Sequence, residues 1–160
     1  MSEKYAAKIR ENMPKLNFPD YSFNFKDADK GWMIFDIIRK KHISLTPEEW
    51  VRQHLIRYLI QMKYPKGLIT SERGVRWNKM NRRYDVAIRD HHGKFILLAE
   101  CKAPNVKIDE KSLQQITTYN LKLNAEILII SNGLQHYCLK YDEKAGYKVL
   151  KNVPGFSAKC

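Results

Sequence analysis

Two acidic residues and a lysine lie on neighbouring apolar segments with the spacing of a hydrolytic metal site. The first segment spans residues 84–88 and contains Asp85. The second spans residues 95–101 and carries Glu100 near its end, with Lys102 just beyond it. Carboxylate oxygens are the ligands that Mg²⁺ prefers, and a metal held by few carboxylates keeps water molecules for a phosphate substrate. These residue types therefore predict metal-assisted hydrolysis of a phosphate ester.

A β-hairpin would bring these three side chains together. Both segments are rich in Val, Ile, Leu and Phe, and the turn residues His91–Lys94 separate them, so each segment predicts a strand. Since side chains alternate between the two faces of a strand, Glu100 and Lys102 share a face, and Asp85 can meet them at one end of the sheet. An exposed hairpin with an ordinary Glu–Lys pair would give the same pattern, so the hairpin alone leaves both interpretations open.

A helix that begins at residue 47 and ends near residue 63 is predicted upstream of the hairpin. Thr46 is a typical N-cap, Pro47 suits the first helical position, and Glu49 completes a capping box. The apolar stripe of this helix consists of Val51, Leu55, Tyr58, Leu59 and Met62. At 100° per residue Glu48 falls within the stripe and Glu49 outside it, so we expect Glu48 to point towards the core. Attraction of acids to the helix dipole explains both residues equally well.

A second helix is predicted downstream of the hairpin, from about residue 109 to residue 123. Its stripe consists of Leu113, Ile116, Asn120 and Leu123. Gln115 and Tyr119 are four residues apart and are therefore neighbours on the flank of that stripe. They are either site residues or ordinary polar residues of a helix surface.

The remaining apolar segments predict further strands. Residues 21–26 and 32–43 are expected to pair as a hairpin, and residues 67–77 to form the first core strand, with a break or bulge at Gly74. Residues 126–131 form a continuous apolar run, which predicts a buried strand parallel to its neighbour. Two more strands are expected at residues 135–141 and 147–153.

The charge of the chain predicts a polyanionic partner. The sequence has 29 Lys and Arg against 17 Asp and Glu, a formal net charge of +12, which fits nucleic acid but does not distinguish DNA from RNA. No apolar run has the length of a membrane span, and the N-terminus lacks a signal-peptide pattern. Three cysteines without CxxC spacing favour a reducing cytoplasm over a disulfide framework or zinc site.

Five basic residues precede the hairpin and are candidates for contacts with phosphates. They are Arg73, Arg76, Lys79, Arg82 and Arg83. Such residues position a nucleic-acid backbone without reading its sequence. The same charges would also suit a solvated hairpin edge, where they discourage aggregation.

Taken together, these segments resemble the PD-(D/E)xK nuclease superfamily. The pattern is Asp85, fourteen intervening residues, and then Glu100-Cys101-Lys102, with Tyr84 in place of the usual proline. Gln115-x-x-x-Tyr119 resembles the branch that contains recombination exonucleases and the N-terminal nuclease domain of type I restriction endonuclease R subunits. The resemblance is carried by LTPEEWVRQHLI, RRYDVAIRD, LLAECKAP, QITTYN and ISNGLQHYC.

The resemblance implies an α/β fold with a restriction-endonuclease-like αβββαβ core. Its central mixed sheet would be flanked by helices, with an extra N-terminal hairpin and extra C-terminal strands. We expect one domain over residues 1–160, with a core at about 31–153 and an N-terminal extension at 1–20. The sequence has no G-x-x-x-x-G-K-[ST] phosphate loop, so we expect a nuclease-type domain without the motor domains of those subunits.

The resemblance also implies a site and a cofactor. Asp85, Glu100 and the backbone carbonyl of Cys101 would hold Mg²⁺ or Mn²⁺, and Glu48 would complete the metal shell through water. Lys102 would orient or deprotonate the attacking water, while Gln115 and Tyr119 would hold Lys102 and the phosphate in place. DNA is the expected substrate, and restriction or repair subunits are possible partners. The alternatives are a non-catalytic DNA-binding module of the same fold and a subunit whose basic surface docks an acidic protein.

Overall fold

The computed structural model describes residues 3–29, 31–71 and 84–157 of the chain. The predicted α/β class is confirmed. In chain order the described elements are α1 (Glu3–Asn12), β1 (Phe25–Ala28), β2 (Gly31–Asp36), β3 (Lys41–Ser44), α2 (Pro47–Gln61), β4 (Ile69–Ser71), β5 (Val86–Arg89), β6 (Phe95–Cys101), α3 (Glu110–Leu123), β7 (Ile127–Ser131), β8 (His136–Asp142) and β9 (Gly146–Leu150). None of the described helices is long and apolar enough to cross a membrane.

The N-terminal strands form a three-stranded antiparallel sheet in the order β1-β2-β3, in which β1 and β2 confirm the predicted hairpin and β3 is an additional strand. The segment predicted as one strand, residues 32–43, reverses direction after Asp36. The carboxylate of Asp36 accepts hydrogen bonds from the backbone N–H groups of Ile38 and Arg39, and Lys40 adopts a left-handed conformation with φ of 55°. An aspartate that binds the N–H groups two and three residues later forms a turn, which the apolar pattern of the segment conceals.

Helix α2 begins as the sequence predicts. The hydroxyl of Thr46 accepts a hydrogen bond from the backbone N–H of Glu49 at 3.1 Å, and Pro47 occupies the first helical position. The helix ends at Gln61, two residues earlier than predicted, and Lys63 then turns the chain with φ of 70°. The first two residues of the predicted first core strand, Gly67 and Leu68, belong instead to a short 3₁₀ turn, Lys66–Leu68. The described part of that strand is β4, and the predicted break at Gly74 lies outside the described residues.

The main sheet has six described strands in the order β4-β5-β6-β7-β8-β9. Neighbouring strands are antiparallel except β6 and β7, which are parallel and are connected through α3. The predicted order of one helix, three strands, one helix and a parallel strand is therefore confirmed, with β8 and β9 as the extra C-terminal strands. The parallel pair matters for the site because Glu100 and Lys102 lie at its carboxyl end.

The two faces of the main sheet pack against different helices. One face, with α2 and residues of the N-terminal sheet, forms a large buried cluster that includes Phe25, Ile34, Leu55, Leu97 and Ile129. The opposite face contributes Ala87, Leu98 and Leu128 to a smaller cluster with Ile116 of α3. Helix α2 thus lies in a core shared by both sheets, whereas α3 covers one face of one sheet.

The segment after α1 packs on the loop between β7 and β8. The backbone N–H of Asn17 donates to the carbonyl of Gly133 at 2.7 Å, and Nε2 of His136 donates to the carbonyl of Asn17 at 2.9 Å. Gly133 has φ of +83°, and a Cβ there would lie 2.7 Å from a methyl carbon of Leu16. Glycine is therefore required at this position for both its backbone conformation and the close approach of Leu16.

Candidate functional site

The predicted hairpin brings Asp85, Glu100 and Lys102 to one end of the main sheet. Strand β5 pairs antiparallel with β6, and its last paired residue towards the site is Val86, opposite Ala99. Asp85 lies one step beyond, and its backbone N–H donates to the carbonyl of Ala99 at 2.8 Å. The pairing ends at Val86, and the Asp85 carboxylate contacts Arg52 of α2, whereas Glu100 alternates in β6 with Ala99 and Cys101, which pack in the cluster that contains α2. Nζ of Lys102 donates to Oε1 of Glu100 at 2.9 Å.

Both oxygens of the Asp85 carboxylate accept hydrogen bonds from the protein. The backbone N–H of Cys101 donates to Oδ2 at 2.6 Å, which ties the end of β6 to the start of β5. Nη2 of Arg52, in α2, donates to Oδ1 at 2.6 Å. The side chain of Asp85 is 14% exposed, so these contacts lie at the edge of the core. Helix α2 therefore contributes a cation to the site.

Arg52 is fully buried and binds three carboxylates. Besides Asp85, its guanidinium binds Glu49 through Nη1 and Glu48 through Nη2, the latter at 3.2 Å. The carboxylate of Glu49 also accepts a hydrogen bond from Nε2 of Gln53 at 2.9 Å. We call Arg52, Glu48, Glu49 and Asp85 the Arg52 cluster.

The structure reverses the predicted orientations of Glu48 and Glu49. Glu49 is 2% exposed, whereas the side chain of Glu48 is 43% exposed. The helical-wheel argument was wrong because α2 is buried around most of its circumference, from Glu49 through Ile56, so its apolar stripe does not mark its only buried side. The carboxylate of Glu49 serves Arg52 and Gln53. A role for Glu48 as a metal ligand through water stays a prediction.

Burial and charge act in opposite directions on Arg52. Burial disfavours the charged guanidinium, but the carboxylates of Asp85 and Glu49 outweigh this effect and raise the pKa of Arg52 above its ordinary value. Arg52 is therefore a permanent cation at the site. Burial also raises the pKa of the Cys101 thiol well above its ordinary value. The thiol stays protonated at neutral pH, so Cys101 offers the site its backbone and not a thiolate.

Gln115 and Tyr119 form the predicted pair on α3. The helix begins after Asp109, whose carboxylate accepts a hydrogen bond from the backbone N–H of Ser112 at 2.9 Å. Nε2 of Gln115 donates to the hydroxyl of Tyr119 at 2.9 Å. Gln115 is exposed and Tyr119 is half-buried. The structure thus confirms that the two side chains meet, and their predicted action on Lys102 and a phosphate stays a prediction.

The backbone of Lys102 is fixed by the strand parallel to its own. Its N–H donates to the carbonyl of Ser131 at 2.8 Å, which continues the pairing of β6 with β7 by one residue. The hydroxyl of Ser131 bonds Nδ1 of His136 at 2.8 Å and accepts from the N–H of Gly133 at 3.0 Å. The last residue of β7, which is itself bonded to the first residue of β8 and to the loop between them, therefore supports the residue that carries the predicted catalytic amine.

The predicted metal ligands have suitable chemistry for Mg²⁺ or Mn²⁺. Two carboxylates and a peptide carbonyl are all hard oxygen donors. Each oxygen of Asp85 accepts one hydrogen bond within the protein, and a carboxylate oxygen has a second acceptor position. The described residues contain no group of three or more His, Cys, Asp and Glu side chains that could hold a metal. The predicted ligand set has only two acidic side chains, Asp85 and Glu100, together with a backbone carbonyl, so it falls short of three such side chains.

Five predicted contacts with nucleic acid lie in a part of the chain that the structure does not describe. Arg73, Arg76, Lys79, Arg82 and Arg83 all fall between residues 72 and 83. Their role stays a prediction. His91 and His92, which the sequence places in a turn, are exposed there, and the carboxylate of Asp90 accepts the N–H of His92.

The sequence analysis missed Arg52. A basic residue inside the apolar segment WVRQHLI, three and four residues after two acids, is a local signal for an ion pair. Nothing local indicates its contact with Asp85, which is 33 residues away. His136 and Ser131 were missed as well, because they lie in segments that the apolar pattern identified only as strands.

Comparison with known proteins gives one family and one related structure. The family model described as type I restriction enzyme R protein N terminus matches residues 47–154. Among solved structures, a fragment described as an HsdR subunit of a type I restriction enzyme from Vibrio vulnificus YJ016 is similar, with a TM-score of 0.49 and 19% sequence identity. The similarity covers 70% of this chain and 24% of that chain, so this chain spans about a quarter of its length. Curated proteins give no match.

Proposed function

The chain belongs to the family of type I restriction enzyme R protein N-termini, and on this premise we propose that it hydrolyses DNA phosphodiester bonds in a metal-dependent reaction. Family membership identifies the chain as a nuclease-like module of a restriction enzyme. One observation carries the finer proposal. Asp85 and the Glu100–Lys102 pair lie at the ends of two paired strands, at the carboxyl end of the parallel pair, with the Gln115–Tyr119 pair on the helix that follows.

Each residue has a role that its position supports. Asp85, Glu100 and the carbonyl of Cys101 would hold Mg²⁺ or Mn²⁺. The bound ion would supply an activated water and balance charge on the phosphate. Glu100 holds the amine of Lys102 at 2.9 Å, from where Lys102 would orient the attacking water or, once it has lost its own proton to solvent, accept the proton of that water. Gln115 and Tyr119 would donate to the phosphate and keep Lys102 in place.

The charge of the chain supports DNA as the substrate. A net charge of +12 attracts a polyanion over a long distance and raises the association rate. We also propose the other subunits of a restriction system as partners, because the chain resembles a part of a much longer subunit. Binding to DNA should weaken steeply with salt, as expected when phosphate contacts release counterions.

The test is nicking of supercoiled plasmid, and cleavage of single-stranded DNA, with Mg²⁺, Mn²⁺ or EDTA. We expect metal-dependent cleavage that Lys102→Ala lowers by about 10²–10⁴-fold, the range for loss of a positioned acid–base group. Lys144→Ala, in the exposed turn between β8 and β9, is the matched control and should cleave as the unchanged protein does. Gln115→Ala should lower turnover more than DNA binding, since Gln115 acts on the bound phosphate.

Two outcomes would contradict the proposal. Cleavage that persists in both Lys102→Ala and Asp85→Asn would show that another site or a contaminant is responsible. No cleavage by any protein, together with tight and salt-sensitive DNA binding, would instead identify a non-catalytic binding module. Equal loss of binding and turnover in Gln115→Ala would assign that residue to the scaffold.

A further inference from the structure

A gain in stability does not explain why Arg52 is buried. Its side chain is fully inaccessible, and its Nε has no hydrogen-bond partner among the residues that the structure describes. Buried ion pairs gain little stability, because desolvation of the charges offsets their attraction, and well-packed apolar residues often replace them without loss. An arginine kept at such a place points to a task beyond holding α2 in the core.

The task follows from the contacts of Asp85. Arg52 donates to Oδ1 from one side, and the backbone N–H of Cys101 donates to Oδ2 from the other, both at 2.6 Å. Two donors on different oxygens stop the carboxylate from rotating about its Cβ–Cγ bond. The planar guanidinium is itself held by Glu49 and Glu48, so its direction is fixed too. Asp85 therefore presents its remaining acceptor positions in one orientation.

The formal charges near Asp85 leave room for a divalent cation. The Arg52 cluster has three carboxylates (Glu48, Glu49 and Asp85) against one cation, while Glu100 and Lys102 pair with each other and cancel. The cluster's excess of two negative charges equals in size the charge of one Mg²⁺ or Mn²⁺. Arg52 neutralises one of the negative charges and leaves two, which a metal ion would balance. The guanidinium can therefore stay bound to Asp85 when a metal binds.

We propose that Arg52 is a positioning residue that holds Asp85 in the orientation needed to bind the metal. The inference rests on the proposed function, because it requires Asp85 to be a ligand. Carboxylates that bind metals are themselves commonly fixed by hydrogen bonds, and loss of such an outer partner lowers metal affinity by about 10–100-fold. Arg52 acts through Asp85 and touches neither substrate nor metal.

The test measures Mn²⁺ binding by isothermal titration calorimetry, with no DNA present. We expect Arg52→Met to bind Mn²⁺ about 10–100-fold more weakly than the unchanged protein. Arg57→Met is the matched control: it makes the same substitution five residues further along α2, where the guanidinium lies over the ring of Phe23. Its Mn²⁺ affinity should stay unchanged. Affinity that is unchanged or tighter in Arg52→Met would overturn the inference, since tighter binding would mean that Arg52 competes with the metal.

A second variant covers the case in which Arg52→Met does not fold. Arg52→Lys keeps a cation beside Glu49 but cannot hold three carboxylates with a planar fork. Circular dichroism checks its fold, and the inference predicts weaker Mn²⁺ binding by the folded variant. Binding equal to that of the unchanged protein would overturn it.

The failure of the inference can be told apart from failure of the proposed function. If Asp85→Asn binds Mn²⁺ as the unchanged protein does, or if neither binds it, Asp85 is not a metal ligand and the metal-dependent mechanism itself is wrong. If Asp85→Asn abolishes binding while Arg52→Met and Arg52→Lys leave it intact, the mechanism stands and only the role of Arg52 is refuted.

Discussion

Helices α2 and α3 both supply residues to the candidate site, but they are buried to different extents. In α2 every residue from Glu49 through Ile56 is buried, whereas the buried residues of α3 are Ile116 and Asn120. A polar residue on α2 must therefore find its partner inside the protein, as Arg52 does with Glu49 and Asp85. A polar residue on α3, such as Gln115, can face a ligand. One helix can fix the geometry of the site and the other can contact its substrate.

The largest difference in stability between the two helices should appear when one leucine in each is replaced by alanine. Leu55→Ala removes a fully buried side chain from α2 and should lower the free energy of unfolding by about 2–5 kcal/mol. Leu121→Ala removes a side chain of α3 that is 75% exposed, and should change it by less than about 0.5 kcal/mol. Urea denaturation measures both values. Equal losses would show that α3 is covered in solution, by a partner or a second copy.

An intermediate effect is expected from the caps, where the two helices are alike. Thr46 caps α2 and Asp109 caps α3, with cap distances of 3.1 Å and 2.9 Å. Thr46→Ala should lower the free energy of unfolding by about 1 kcal/mol, and Asp109→Ala should lower it too, because each leaves one helical N–H without its acceptor. If Thr46→Ala lowers the free energy of unfolding as much as Leu55→Ala does, the start of α2 stabilises the fold through more than its cap hydrogen bond.

The smallest change in the free energy of unfolding should come from a change of pH, since protonation of a histidine removes no side chain from the core. Burial lowers the pKa of His54, in α2, and of His136, beside the site, below the ordinary value of 6.5. The unfolded chain then binds more protons than the native one as the pH falls below about 6.5. Stability contributed by the neutral rings is present above that pH and is lost as the pH falls through the lowered native values.

Urea denaturation at pH 8 and pH 5.5 measures this loss. A double variant, His54→Gln with His136→Gln, should lose less stability between the two pH values than the unchanged protein. An identical loss in both proteins would mean that other groups cause the pH dependence.

The sequence predicted α3 better than α2 for a physical reason. A helix that covers one face of a sheet alternates buried and exposed residues with its own period, so Ile116 and Asn120 could be identified as buried and Gln115 as lying on the flank. A helix buried on most sides shows no such alternation of buried and exposed positions. Counting 100° per residue therefore predicted Glu48 to be more buried than Glu49, and the structure shows the reverse. The strand pattern similarly hid the turn at Asp36, because Ile37 and Ile38 continue the apolar run.

Within the site, short-range relations could be predicted and long-range ones could not. The hairpin, the Glu100–Lys102 pair and the Gln115–Tyr119 pair depend on residues that are close in sequence or joined by one turn. The contact of Arg52 with Asp85 depends on how α2 packs on the sheet, and so does the support of Lys102 by Ser131. Tertiary packing of this kind leaves no periodic trace in the sequence.

The packing of Leu16 and Asn17 on the loop at Gly133 has a practical consequence for recombinant fragments. The family match begins at residue 47, and a fragment cut there would be a natural choice for expression. That cut would remove Leu16, Phe23, Phe25 and Ile34 from the main buried cluster. It would also remove the carbonyl that holds His136. The exposed faces of α2 and of that loop would then favour aggregation, so the limits of sequence similarity are not the limits of the folding unit.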